Sequence, residues 1–258
     1  MRSLLNTILD WLAANRLTLN AKKTEIVLFR SKSKLCDTRF TIKIKGHKIY
    51  PSNKVKYLGV FLDPHLEWKH QVTELAKKLS IAVGLLSKIR HYVDPTTLRS
   101  LYFSLFHSSL SYGCMVWGIA NKMVLDKISR LQKRAIRIIT FSDYKEPTSP
   151  LFKKLGIIKI RDVIKLKQYE FIHDWKNNKL PCVFHNYFAY HETEKSTRLA
   201  KATQLIIPQV RTERYGSICM KHQGARIHNQ LITAGFKLNL SSCVFKKEMK
   251  AIIIAAYD

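Results

Sequence analysis

The sequence VLDKISRLQKRAIRIIT, residues 124–140, has the spacing of an amphipathic α-helix. Its apolar positions recur every three or four residues and are expected to face a core: Leu125, Ile128, Leu131, Ala135 and Ile138. Its basic positions fall at i, i+3, i+7 and i+10 on the opposite side: Lys127, Arg130, Arg134 and Arg137. No acidic residue lies between these cations, so ion pairs along the helix do not account for them. Phosphate contact and an ordinary solvated face are the two interpretations of this row.

Two further helices are predicted just upstream. The apolar positions from Trp68 to Ile89 form one helical stripe, and Lys77 and Lys88, eleven residues apart, project from its other side. Asp94-Pro95 is a typical helix start, and the helix that follows is expected to break near Gly113. Three helices joined by short connections favour a small bundle.

The first part of the chain has a different pattern. Residues 3–15 predict an amphipathic helix, and three strands are expected at residues 24–29, 40–44 and 55–62, with a turn at residues 45–47. This order predicts one helix followed by a small antiparallel sheet. The whole chain is therefore expected to be α+β and mostly helical.

Two short segments of this first part carry lysines or a glycine at informative places. Asn20-Ala21-Lys22-Lys23-Thr24 places lysines just before a strand, where they reach a phosphate or form a surface turn. Tyr57-Leu58-Gly59 lies within the third strand, after Lys54 and Lys56. A glycine inside a strand often marks a bulge or the close approach of another backbone, and an ordinary strand is the alternative.

The last part of the chain is harder to interpret. Residues 144–150 predict a loop or boundary, and helices are expected at residues 160–176 and from about 243 to 255. Residues 177–215 are mixed and polar, and no element is predicted there.

The composition favours a polyanionic partner. The 258 residues are 46% hydrophobic, which is enough for a core, and 45 Lys plus Arg against 18 Asp plus Glu give a net charge of +27. Such an excess is expected to bind nucleic acid, with an anionic membrane surface as the rival partner. No apolar run is long enough to span a bilayer, so no membrane insertion is expected.

The cysteines and the N-terminus indicate an intracellular protein. The five cysteines are widely spaced and form no CxxC pair: Cys36, Cys114, Cys182, Cys219 and Cys243. A reducing compartment, nucleus or cytoplasm, is therefore expected. Polar residues follow Met1 too soon for a secretory signal, so the protein is not expected to be secreted.

The residues offer no recognisable catalytic centre. The chain has no Asp-Asp pair and no DxD string, and phosphoryl-transfer enzymes with two metal ions need clustered carboxylates. Phosphate-loop and GxSxG strings are also missing. Cys182, His185 and His191 are close in sequence, but their irregular spacing is weak support for zinc. We expect no metal and no cofactor in this chain.

Five strings, in order, resemble the reverse transcriptases of non-LTR, jockey-like retrotransposons. They are ILDWLAANRLTLNAKKTEIVLF at residues 8–29, KVKYLGVFLDPHLEWKH at 54–70, a helix ending in Tyr-Gly and Trp-Gly at 98–118, the basic helix at 127–137, and GARIHN at 224–229. His228 stands where that family usually has Trp. The resemblance implies the end of a polymerase palm at residues 1–62, a helical thumb at 63–143 and a C-terminal segment at 144–258.

The resemblance also implies roles for individual residues. Lys23 matches a lysine that assists pyrophosphate departure, Tyr57-Leu58-Gly59 matches the primer grip, and the thumb helices would lie along the template–primer duplex. Together with the charge pattern, this predicts a nucleic-acid-binding set: Lys22, Lys23, Lys54, Tyr57, Leu58, Gly59, Lys77, Lys88, Lys127, Arg130, Arg134 and Arg137.

The paired aspartates that hold Mg²⁺ in that family are expected upstream of Trp11 and do not occur in this sequence. We therefore expect a fragment of an RNA-directed DNA polymerase that is inactive alone, because positioning without metal ligands gives essentially no phosphoryl transfer. Its expected partners are an RNA template, an RNA–DNA or DNA duplex, and the missing N-terminal portion of the polymerase. A stand-alone nucleic-acid-binding module and a basic interaction protein are the alternatives.

Overall fold

The computed structural model describes residues 2–34, 39–44, 46–191 and 203–257, and it divides into two compact units, Met1–Gln71 and Val72–Asp258. Helices form most of the structure and the strands are short, so the expected α+β, mainly helical class is confirmed. The boundary expected between residues 143 and 144 lies inside the second unit. The segments 1–62, 63–143 and 144–258 therefore stay a prediction from the resemblance.

The described residues of the first unit form one helix, one short 3₁₀ turn and two hairpins. Helix α1 is Arg2–Ala14, and the 3₁₀ turn Ala21–Lys23 is capped by Asn20, whose side chain accepts the N–H groups of Lys22 and Lys23. The strands, in order, are β1 Ile42–Ile44, β2 His47–Ile49, β3 Val55–Tyr57 and β4 Val60–Leu62. Among the described residues, β1 pairs with β2 and β3 with β4, both antiparallel, in two separate two-stranded sheets.

The sheet of three strands expected from the sequence is wrong in two respects. Residues 24–29 form no strand. They make a single isolated β-bridge, between Ile26 and Pro51. Residues 55–62 form a hairpin rather than one strand. An alternating apolar pattern shows which side chains are half-buried, whereas a strand also needs a neighbouring backbone to pair with.

The YLG string is explained by the β3–β4 turn. Leu58 and Gly59 are its two central residues, with φ of 45° and 82°, and Tyr57 pairs with Val60 across it. A two-residue hairpin loop whose central residues both have positive φ matches the twist of the flanking strands. Gly59 therefore lies in a turn, which is neither the bulge nor the ordinary strand that the sequence left open.

The buried carboxylate of Asp63 shapes the chain between β4 and the next helix. Its oxygens accept the N–H groups of His65, Glu67 and Trp68 at 3.1, 3.0 and 3.0 Å. Trp68 is buried at the end of this turn. Asp63 is thus a structural turn residue.

Helix α2 is Lys69–Ile89, and it is followed by eight more α-helices and several short turns among the described residues of the second unit. They are α3 Pro95–Leu101, α4 Ser108–Ser111, α5 Cys114–Trp117, α6 Lys122–Thr140, α7 Thr148–Leu155, α8 Ile160–Lys176, α9 Met220–Thr233 and α10 Ser242–Ala255. π-Helical turns occupy Tyr102–His107 and Glu213–Ser217, and a 3₁₀ turn occupies Cys182–Phe184.

Most helices expected in this part are confirmed. The predicted stripe of α2 is buried, the side chain of Asp94 caps α3, and Gly113 adopts φ 58° where the chain turns into α5. Two helices were missed. Helix α7 begins inside the loop expected at residues 144–150, and α9 carries the GARIHN string, whose mixture of polar and apolar residues gave no clear helical stripe.

Helix α8 is the centre of the second unit, where α5, α9 and α10 pack against it. The approach of α9 is close at Gly224, where a Cβ would lie 2.6 Å from Cζ of Phe188 and 2.9 Å from Cδ1 of Ile172. The glycine of the GARIHN string therefore allows α9 to pack on α8. At the other end of α8, Tyr257 donates to Asp162 at 2.6 Å and accepts the N–H of Lys159 at 2.8 Å.

Candidate nucleic-acid interface

Helix α6 is anchored to its neighbours through its buried side, where one glutamine makes three hydrogen bonds to other elements. Gln132 donates to the Tyr102 hydroxyl at 3.1 Å and to the Ile158 carbonyl at 2.9 Å, and it accepts the N–H of Ile160 at 2.8 Å. Gln132 is 1% exposed, whereas Leu131, expected in the core, is half-buried. The periodic pattern missed Gln132 because it counts apolar residues, and buried polar groups persist when fully hydrogen-bonded.

The other side of α6 exposes an uncompensated row of cations. Lys127, Arg130 and Arg134 are exposed, as the sequence predicted. The single acidic residue of α6, Asp126, pairs with Arg161 of α8 at 2.7 Å. Among the residues that the structure describes, no carboxylate forms an ion pair with this row.

Lys133 extends the row and was missed from the sequence. It is exposed and lies three residues after Arg130 and four before Arg137, which places it on the same face. The predicted series contained positions i, i+3, i+7 and i+10 from Lys127, whereas Lys133 is at i+6. We name Lys127, Arg130, Lys133 and Arg134 the α6 basic face.

Arg137, the last residue of the predicted row, is engaged within the protein. Its guanidinium donates twice to the carbonyl of Glu146, at 3.1 and 2.9 Å, and lies 5.6 Å from the centroid of the Tyr144 ring. It therefore ties the end of α6 to the following loop. A cation in the last turn also interacts favourably with the helix dipole.

The lysines predicted on α2 differ from each other. Both are exposed, but Lys77 pairs with Glu74 at 2.8 Å, whereas Lys88 lies in the last turn of α2. Arg90, just beyond that turn, stacks over Phe141 at 5.0 Å, so the C-terminal ends of α2 and α6 meet. Lys88 and Arg90 thus add positive charge at the end of α6. Arg90 was missed because it lies outside the helical pattern.

The first unit presents a second group of predicted residues. Tyr57 and Leu58 form the tip of the β3–β4 hairpin and are 64% and 73% exposed. The ammonium groups of Lys54 and Lys56 lie 5.9 and 5.7 Å from the centroid of the Phe61 ring on the same hairpin. The structure therefore brings Lys54, Tyr57, Leu58 and Gly59 together.

Lys22 and Lys23 are both exposed in the 3₁₀ turn that Asn20 caps. Their backbone N–H groups are taken up by this cap, at 3.1 and 3.3 Å. The ammonium groups are therefore the parts of these residues that remain for a phosphate.

The described part of the chain contains no group of three or more His, Cys, Asp or Glu side chains that could hold a metal ion. Cys182, His185 and His191 are exposed and form no such group. Burial raises the pKa of the Cys114 thiol to about 11, which keeps this buried sulfur protonated and unreactive. No helix among the described residues is long and apolar enough to cross a membrane.

Sequence comparison supports the class that the ordered motifs indicated, the reverse transcriptases of non-LTR, jockey-like retrotransposons. The chain is 26% identical over 159 residues to a probable RNA-directed DNA polymerase from transposon X-element of Drosophila melanogaster. It is 25% identical over 168 residues to the RNA-directed DNA polymerase from mobile element jockey of the same species. It is 26% identical over 167 residues to a probable RNA-directed DNA polymerase from its transposon BS.

These matches cover 60–64% of this chain but only 17–18% of the length of each relative. The resemblance found in the sequence is thereby confirmed, and it concerns a minor part of each relative. No family model matches the chain, and no solved structure is significantly similar to it.

Proposed function

We propose that this chain holds a template–primer duplex for an RNA-directed DNA polymerase, with the α6 basic face contacting phosphates. The observation that carries this proposal is the charge arrangement of α6: the four cations of its basic face are exposed, while its one acid is paired with Arg161. Lys88 and Arg90 extend the positive charge at the end of the helix. Cations in such a row bind a polyanion because each phosphate neutralised releases condensed counterions.

The β3–β4 hairpin is proposed to position the primer end. Its tip presents Tyr57 and Leu58 outward, and the turn holds Leu58 at φ 45°, a conformation that a leucine rarely adopts. Backbone kept in such a region is often part of a binding or catalytic site. Lys22, Lys23 and Lys54 are proposed to contact phosphates of the same substrate, with Lys23 assisting pyrophosphate departure.

The chain is proposed to be inactive without a polymerase portion that supplies carboxylates. Mg²⁺ in two-metal phosphoryl transfer needs clustered carboxylates, and the described residues offer no such group. This chain would therefore contribute binding and orientation, in the nucleus or cytoplasm, and no metal or other cofactor of its own. Primer extension by the purified chain with Mg²⁺ would overturn this part of the proposal.

The duplex-binding proposal is tested by the salt dependence of binding to an RNA–DNA hybrid. Each phosphate contact contributes about −0.9 to the slope of log K against log salt concentration for B-form DNA, and a similar order is expected for a hybrid. Replacing Lys127, Arg130, Lys133 and Arg134 by Gln is expected to reduce the magnitude of the slope by about 3.6, if each contacts one phosphate, and to weaken binding strongly at low salt.

The matched control removes the same charge elsewhere. Lys153, Lys154, Lys165 and Lys247 are exposed on α7, α8 and α10, and their replacement by Gln is expected to change the slope by less than about 1. Equal losses from the two variants would mean that binding follows net charge alone. Preference of the wild-type chain for anionic vesicles over the hybrid would favour the alternative membrane-surface function.

A further inference from the structure

Three aromatic side chains stand exposed where two loops of the second unit meet. Tyr92 follows α2 and is 86% exposed, whereas Phe141 and Tyr144 follow α6 and are 47% and 81% exposed. Arg90 lies 5.0 Å from the centroid of the Phe141 ring, and His91 packs edge-on against that ring at 5.7 Å. These contacts join the two loops into one surface. We name it the aromatic platform: Arg90, His91, Tyr92, Arg137, Phe141 and Tyr144.

The backbone of Phe141 is unusual for so large a side chain. Phe141 ends α6 with φ 56°, and its N–H donates to the carbonyls of Arg137 and Ile138. Glycine or asparagine normally occupies this left-handed position, because a Cβ is disfavoured there. Burial of the ring compensates this strain only in part, because about half of the side chain remains exposed. A strained, exposed aromatic residue indicates a function for the ring.

Cations lie against the rings of the platform. Arg137 lies over Tyr144 as Arg90 lies over Phe141. The loop after α6 also carries Asp143 and Glu146, and the Asp143 carboxylate accepts the N–H of Lys145. The last turn of α2 and the C-terminal half of α6 add further cations, so the surroundings are basic: Lys88, Lys133 and Arg134.

We propose that the aromatic platform stacks the unpaired bases of single-stranded nucleic acid. Aromatic side chains between cations are the usual means of holding a single strand, because every base has a stacking face and the cations neutralise phosphates. A duplex offers these rings no free base faces along its length, since its bases already stack on one another. The inference rests on the proposed function. The platform adjoins the helices that are proposed to bind the duplex, so the strand that it would hold is the unpaired part of the template next to that duplex.

The test measures binding of the purified chain to a fluorescent oligouridine of about 12 nucleotides, within the usual site size of such surfaces. Phe141→Asn, Tyr92→Ser and Tyr144→Ser remove the rings while leaving every cation in place. The Kd is expected to rise about fivefold or more for each ring, and about a hundredfold for the triple variant. Asparagine adopts the left-handed conformation more readily than phenylalanine, so Phe141→Asn is not expected to lower the melting temperature.

Two controls separate stacking from charge. Met123→Ala removes a side chain that is 77% exposed at the opposite end of α6 and is expected to leave the Kd unchanged. An abasic strand of the same length keeps the phosphates and removes the bases. Wild type and the triple variant are expected to bind that strand equally.

The outcomes distinguish this inference from the duplex-binding proposal. Weaker binding of oligouridine with unchanged binding of the RNA–DNA hybrid supports the platform. An unchanged Kd for oligouridine in the triple variant overturns the platform, whether or not the hybrid binds. If the hybrid does not bind but oligouridine binds through the rings, the platform stands and the duplex proposal fails. Failure of the wild-type chain to bind either probe overturns both.

Discussion

Helices α6 and α8 both carry more basic than acidic residues, but they differ in how many of these charges are paired within the protein. Helix α6 carries one acid, Asp126, and that residue is paired outside its own helix, with Arg161. In α8 the acids serve the fold: Asp162 accepts from Tyr257, Glu170 pairs with Lys167 and Lys246, and Asp174 lies beside His173. Basic composition therefore does not identify a binding surface. The placement of the few acids does.

The two helices also differ in how they are anchored, and the largest predicted effect tests this. Gln132→Ala removes the group that joins α6 to Tyr102 and to the start of α8, and it leaves the buried N–H of Ile160 and the carbonyl of Ile158 without this partner. We expect the free energy of unfolding to fall by about 3 kcal/mol, measured by urea denaturation.

The control for this variant is Gln230→Ala, which removes an exposed glutamine of α9. Its effect should stay within about 0.5 kcal/mol. Equal effects of the two substitutions would mean that Gln132 does not anchor α6. The buried side of α6 would then not differ in this respect from its exposed basic face.

The second prediction concerns the crowding around α8. Gly224→Ala places a methyl group against Phe188 and Ile172, and we expect the free energy of unfolding to fall by about 1–2 kcal/mol. Gly84→Ala, in the middle of α2, meets no atom within 4 Å and should raise it by about 0.5–1 kcal/mol. The same substitution then has opposite signs on a crowded and an open helix. A stabilising Gly224→Ala would show that the packing around α8 is looser than described.

The sequence predicted the helices of this molecule better than its strands. The stripe of α2, the Asp94 cap and the end at Gly113 are local signals, and each is confirmed. The strand at residues 24–29 and the single strand at residues 55–62 were wrong, because both depend on which backbone lies alongside. Spacing along one chain segment does not contain that information.

The candidate site shows the same division. The exposure of Lys127, Arg130 and Arg134 follows from helical periodicity and was predicted. Arg137 was assigned to the row, but its contact with the carbonyl of Glu146 depends on the path of the next loop. Phe141 was not predicted at all, since its left-handed φ and its contact with Arg90, from the loop after α2, are not local signals.

The third prediction is a pH dependence on the α8 side. His228 packs edge-on against Trp175 of α8 at 6.3 Å, and burial lowers its pKa below the ordinary value of 6.5. Below that pH the unfolded chain binds a proton that the folded His228 does not, so the free energy of unfolding falls as the solution is acidified. Burial lowers the pKa of His107 in the same direction.

His228→Phe keeps a ring and removes the titrating group. Urea denaturation at about pH 7.5 and about pH 5.5 should show a smaller loss on acidification in this variant than in wild type. An identical loss would assign the acid sensitivity to other groups, His107 among them.

The smallest predicted effect is also the most direct test of the contrast between α6 and α8, because it asks whether like cations have opposite effects on stability. Arg161→Gln breaks the exposed pair with Asp126 and should lower the free energy of unfolding by about 0.5 kcal/mol. Replacing Lys127, Arg130, Lys133 and Arg134 by Gln breaks no ion pair in the described structure and relieves mutual repulsion, so it should raise that energy by a few tenths of a kcal/mol. Both differences should shrink in high salt, because exposed charges are screened. A loss of stability from the α6 substitutions would show that its cations serve the fold, as those of α8 do, and the reason for assigning this face to a phosphate backbone would disappear.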